Sequence, residues 1–124
     1  MVDNISIIEV ADEIDFDGLM ALHDEACGKA RNIMRAKNHD YTNAGDSVGG
    51  VFGNLALCEM MGICETQQGI LIRLTDKLSR LATLTTKEVQ VKDEKDIDTV
   101  IDVINYLVLF LAARGVTLED LQDV

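Results

Sequence analysis

Between Asp93 and Ala113, four oxygen-bearing side chains recur at helical spacing: Glu94, Asp98, Asp102 and Asn105. At 100° per residue they fall within about 80° of one another. Val100, Val103, Ile104, Leu107, Phe110 and Leu111 take the opposite side. Carboxylates at i, i+4 and i+8 repel one another unless they face water or share a cation. Mg²⁺, or Mn²⁺ in its place, suits such an oxygen cluster and keeps waters and substrate phosphates as its remaining ligands. The competing reading is a solvated acidic face. From Val103 onward the helix is apolar almost all round, which predicts burial. The acidic stripe would then run from an open end into a closed one, where a buried Asn105 amide must find hydrogen-bond partners.

A second stripe precedes it. Arg73, Asp76, Lys77 and Arg80 lie at i, i+3, i+4 and i+7. On an open surface such a cluster contributes little to stability. Facing the acidic stripe, it would be a phosphate clamp. Arg73 and Arg80 would grip phosphate oxygens at two points, Lys77 would add a point charge, and Asp76 would add a metal ligand. A third feature is K-N-H-D-Y, Lys37 to Tyr41. His39 there is a general base, a helix-end cap or an exposed loop residue, the cap being the simpler reading. Tyr41 either stacks on a base or anchors the loop.

These residues need elements to position them. Phe16, Leu19, Met20, Ala26, Ala30, Ile33 and Met34 recur every three or four residues and predict one buried face on a helix over about 17–37. Asn38 to Gly50 reads as a loop rich in turn formers, with glycines that would let it act as a lid. A second helix is expected from about 47–51 to Gly62, and a third from Thr66, as N-cap, to about Thr85, with Ile70, Leu71, Leu74, Leu78 and Leu81 inward. Asp93 is the expected cap of the fourth, Gly115 its left-handed C-cap, and Thr117 opens a short last helix. The 124 residues contain no proline. The expected architecture is one all-α domain over 1–124, a four-helix-bundle-like module, with residues 1–15 as a strand or an arm on a partner subunit.

Charge narrows the function classes. Twenty-two acids against eleven bases leave a formal charge of −11, which argues against nucleic acid and anionic membranes as partners. The middle is the exception: residues 26–90 carry eight bases and six acids, while 1–25 and 91–124 carry eight acids each. Small phosphorylated ligands therefore remain open. No G-x-x-x-x-G-K-[ST] or G-x-G-x-x-G pattern occurs, which excludes the usual glycine-loop nucleotide folds. Cys27, Cys58 and Cys64 are an odd set without paired metal spacing, read as free thiols of a reducing cytoplasm. Met34, Met60, Met61 and Cys58 read as core filler. No apolar leader precedes Lys29, and no run is long enough to span a bilayer. Leu107 to Ala113 is more apolar than one small bundle need bury, which predicts a homodimer or higher homo-oligomer.

K-N-H-D-Y (37–41), F-G-N-L (52–55), R-L-T-D-K-L-S-R-L (73–81) and D-E-K-D-I-D-T-V-I-D-V-I-N-Y-L (93–107), in that order, resemble the nucleotide modification associated domain 1 family of small, mostly phage-encoded proteins. The resemblance covers roughly 30–112. That family is in turn similar to the all-α nucleoside triphosphate pyrophosphohydrolases of the MazG and dimeric dUTPase group. Those use carboxylates to hold Mg²⁺, which activates a water for attack within the triphosphate. Their E-E-x-x-E motif is absent from this chain, and Glu94, Asp98 and Asp102 replace the later E-x-x-D.

The resemblance implies a metal-dependent nucleotide pyrophosphohydrolase of a host bacterial cytoplasm. Glu94, Asp98 and Asp102 would be its catalytic residues, and with Asp76 its metal ligands. Lys37, His39, Asp40, Tyr41, Asn54, Arg73, Lys77, Arg80, Asn105 and Tyr106 would meet the substrate, with Asn105, Tyr106 or Tyr41 reading base or sugar. Two rivals share the same residues or the same charge: a non-catalytic sponge for a signalling nucleotide, and an acidic mimic of nucleic acid.

Overall fold

A computed structural model describes residues 13–43, 50–86 and 96–124, with the side chains of 39–43 outside the description. The described chain is helical, with no strand. Its elements are α1 (Phe16–Asn43), a 3-10 helix (Gly50–Ala56), α2 (Leu57–Met60), α3 (Thr66–Thr86), α4 (Asp96–Ala113) and α5 (Leu118–Gln122). The all-α expectation holds. The expected arm over residues 1–15 falls largely outside the described residues, as does Asp93.

Helix ends follow from local chemistry. Asp15 starts α1, its carboxylate accepting from the Gly18 N–H at 2.7 Å and its carbonyl from Leu19 at 3.0 Å, so two N–H groups of the first turn are satisfied. α1 runs on to Asn43, past the expected end near Lys37 and through K-N-H-D-Y. None of those residues is a proline or a glycine, so nothing there breaks the backbone ladder. Thr66 was expected as the cap of α3 but is its first helical residue. Glu65 takes the capping place, its N–H donating to Gln68 Oε1 at 3.0 Å, while the Thr66 N–H donates to Glu59 Oε1 at 3.1 Å.

The end of α4 matches its sequence signal. Gly115 has φ +79°. Its N–H donates to Ala112 O and that of Val116 to Leu111 O, both at 3.0 Å. This pair of bonds needs a left-handed residue at Gly115. Thr117 then caps α5 reciprocally, the Asp120 N–H donating to its hydroxyl at 3.1 Å and the Thr117 N–H to Asp120 Oδ2 at 2.9 Å. Those bonds from the Thr117 backbone and hydroxyl hold the Asp120 carboxyl below its ordinary range.

α4 lies between α1 and α3 and packs on both, and the 3-10 helix closes against α1 and α3. The core at this junction is small. Among the described residues the buried apolar side chains are Ala30 of α1, Ala56, Ile70 and Leu74 of α3, and Ile101 of α4, with Thr66 and Thr99 buried beside them. The faces predicted as buried are only partly covered. Ile70 and Leu74 are inward, but Leu71 and Leu78 are exposed, as are Phe16, Leu19, Met20 and Ile33 of α1. On α4, Val100, Leu107, Val108 and Leu111 also face outward. Helical periodicity thus found the inward positions Ala30, Ile70 and Leu74 but marked wider faces as buried than the structure covers. No described helix is long and apolar enough to cross a membrane.

Candidate functional site: a cationic crevice around Asp102

The residues expected to do chemistry converge where α1, α3 and α4 meet the 3-10 helix. Asp102 of α4 accepts an ion pair from Lys77 of α3, Nζ to Oδ2 at 2.9 Å. Lys37 of α1 stands 3.9 Å from Oδ1. The two contacts differ in strength. Asp102 and Lys77 keep 25% and 21% of their side-chain surface in water, so their pair is shielded, whereas Lys37 keeps 59% and its attraction is screened. One turn along α4, Asn105 donates its amide Nδ2 to the Ala30 carbonyl of α1 at 2.9 Å. This supplies the partner that a part-buried amide requires. Ala30, buried and small, lets α4 approach the α1 backbone closely enough for that bond.

These contacts frame an open crevice of about 180 Å³. Its polar lining residues are Lys37, Asn38, Arg73, Asp102, Asn105 and Tyr106, with Asn54 from the 3-10 helix. Its apolar lining residues are Met34, Val51, Phe52, Leu55 and Leu109. The 3-10 helix can present both Phe52 and Asn54 because Gly53 kinks it at φ +53°, ψ −128°, a conformation that glycine tolerates and a side chain does not. Among the described residues, the charged side chains of the lining are Lys37, Arg73 and Asp102, and Lys77 reaches Asp102 from α3.

Of the predicted site residues, the structure gathers Lys37, Asn54, Arg73, Asp102, Asn105 and Tyr106 on one crevice, with Lys77 held there by Asp102. It does not place Asp76, Arg80 or Asp98 on that lining, and all three are exposed. Glu94 and the side chains of His39, Asp40 and Tyr41 lie outside the described residues. Among the described residues, no group of three or more His, Cys, Asp or Glu side chains is placed to hold a metal ion, and both Asp102 oxygens face lysine ammonium groups. The described carboxylates alone do not fit a resident ion.

The sequence alone does not single out the apolar lining residues. Met34 reads as core filler, and Leu109 as part of a contact between copies. The signal available for both was helical register: Met34 sits one turn before Lys37, and Leu109 one turn after Asn105.

The pairing at 2.9 Å predicts measurable coupling. In a double-mutant cycle with Lys77→Met and Asp102→Asn, followed by urea denaturation, the two changes should be non-additive by about 1 kcal/mol. Additive losses would show that the pair contributes nothing to folding.

No protein-family model, curated protein or solved structure matches this chain.

Proposed function

We propose that the crevice binds a nucleotide, phosphates to its cationic side chains and base to its apolar ones. One observation carries the reading: among the described residues, Lys37, Lys77 and Arg73 gather at a crevice whose lining also includes Phe52. Arg73 would engage phosphate oxygens at two points and Lys77 at one, while Lys37 draws the anion in from solvent. Asn54, Asn105 and Tyr106 offer donors and acceptors to sugar or base. Phe52, Leu55 and Met34 would cover the base face. The resemblance carried by the 37–41, 52–55, 73–81 and 93–107 segments favours a nucleoside triphosphate as the ligand class, with Mg²⁺ arriving as its counter-ion.

Pyrophosphohydrolysis is the second reading, favoured by the Glu94, Asp98 and Asp102 spacing. One pair of measurements separates binding from cleavage. Calorimetry over a panel of nucleoside triphosphates, in EDTA and in Mg²⁺, should show binding in both. Arg73→Met and Lys77→Met should each weaken it about tenfold to a hundredfold, the worth of one charge-assisted contact. Phosphate or pyrophosphate release in Mg²⁺ or Mn²⁺ would establish cleavage, and binding without release would establish a sequestering protein. No binding of any nucleotide under either condition would refute the proposal.

Self-association is proposed with it, on the exposed side of α4. Leu107, Val108 and Leu111 present a continuous apolar strip there, and a second copy of this chain, with the same strip, can cover it reciprocally. Leu109 is not the residue to test, because it lines the crevice. Light scattering should give a multiple of the chain mass for the native protein and the single-chain mass for Val108→Glu. An unchanged mass in the variant, or a monomeric native protein, would count against this interface.

A further inference from the structure

Away from the crevice, two thiols are brought together by a helix end. Cys58 lies in α2 and Cys64 in the connection to α3. α2 closes on Gly62, at φ +75°. The Gly62 N–H donates to Glu59 O at 3.0 Å and the Ile63 N–H to Cys58 O at 2.8 Å. This left-handed closure folds the chain back, so that the Cys64 N–H also comes within 3.4 Å of Cys58 O. The Cys64 backbone is thereby held beside the Cys58 carbonyl.

The side chains follow. A Cβ built on Gly69 of α3 would meet Cys58 Sγ at 2.6 Å and Cys64 Sγ at 3.9 Å, so both sulfurs point to the same spot on α3. A glycine inside a helix costs about 1 kcal/mol against alanine. Here its missing side chain makes room for the Cys58 thiol, whose available acceptors are Leu55 O at 3.5 Å and Glu65 O at 3.9 Å. Both thiols are free and only partly buried. Contact with Cys58, then burial, then the nearby Glu59 and Glu65 carboxylates hold the Cys64 thiol above its ordinary range, so it keeps its proton.

We propose that Cys58 and Cys64 form a reversible dithiol–disulfide site that a peroxide oxidises. The Cys58 thiolate attacks one peroxide oxygen, the O–O bond breaks, and sulfenic acid forms with release of hydroxide, which is protonated to water. Cys64 sulfur then attacks the Cys58 sulfur. The S–OH bond breaks, its hydroxide leaves as water with the Cys64 proton, and the S–S bond forms. The two sulfurs are oxidised, and hydrogen peroxide is reduced to two waters. The link would fasten α2 to the start of α3, next to the 3-10 helix. The site stands independently of whether the crevice takes a nucleotide.

The full-length chain carrying Cys27→Ser, to remove the exposed third thiol, is treated with hydrogen peroxide and then with iodoacetamide. Digestion with glutamyl endopeptidase follows, which cuts after Glu59 between the two cysteines. The expected result is loss of both alkylatable thiols and a linked peptide pair, both reversed by dithiothreitol. Oxidation in the folded chain should also outrun oxidation in urea. Adding Cys58→Ser or Cys64→Ser should abolish the link, with circular dichroism confirming the helical fold. Two thiols still alkylated after oxidation, separate oxidation of each to sulfonate without a link, or equal rates folded and in urea would overturn the proposal.

Discussion

A carboxylate three-quarters withdrawn from water must find positive charge, and Asp102 finds it on two other helices. Its close partner, Lys77, belongs to α3 and its distant one, Lys37, to α1. The carboxylate therefore joins three helices at one point, and it collects cations where the rest of the chain collects acids. One lysine would suffice to neutralise it. Lys37, and Arg73 on the lining, add further cations to the same crevice.

Packing around that point is economical. Ala30 and Asn105 bring α1 and α4 together by a small side chain and an amide-to-carbonyl bond, worth about 1 kcal/mol net. Ile70, Leu74 and Ile101 supply most of the apolar volume. The same economy leaves long apolar stretches of α1, α3 and α4 facing outward. A helix that buries one edge in its own chain and offers another to solvent has surface to give to assembly.

Parts of this arrangement were readable from residue order. Gly115 and Thr117 announced the end of α4 and the start of α5, because few other residues satisfy those backbone groups. Arg73, Lys77, Asp102, Asn105 and Tyr106 could be placed near one another from helical register on adjacent helices. What register does not supply is the offset between helices. Asp98 shares a stripe with Asp102 but lies off the crevice lining, because neighbouring helices meet over a limited length. The reach of α1 past Lys37 was missed for a related reason: turn-forming residues such as Asn38 and Asp40 permit a loop without requiring one, and the helix continues through them. The apolar lining residues Met34, Phe52 and Leu109 are not legible in the sequence because they carry no chemical signature apart from their surroundings.

The decisive measurement is a crystal structure of the protein soaked with a non-hydrolysable nucleoside triphosphate and Mn²⁺. The account predicts phosphate density between Arg73 and Lys77, the base against Phe52, and Asn105 still bonded to the α1 backbone. Density elsewhere on the molecule, or a crevice whose lysines have turned away from Asp102 into solvent, would contradict it.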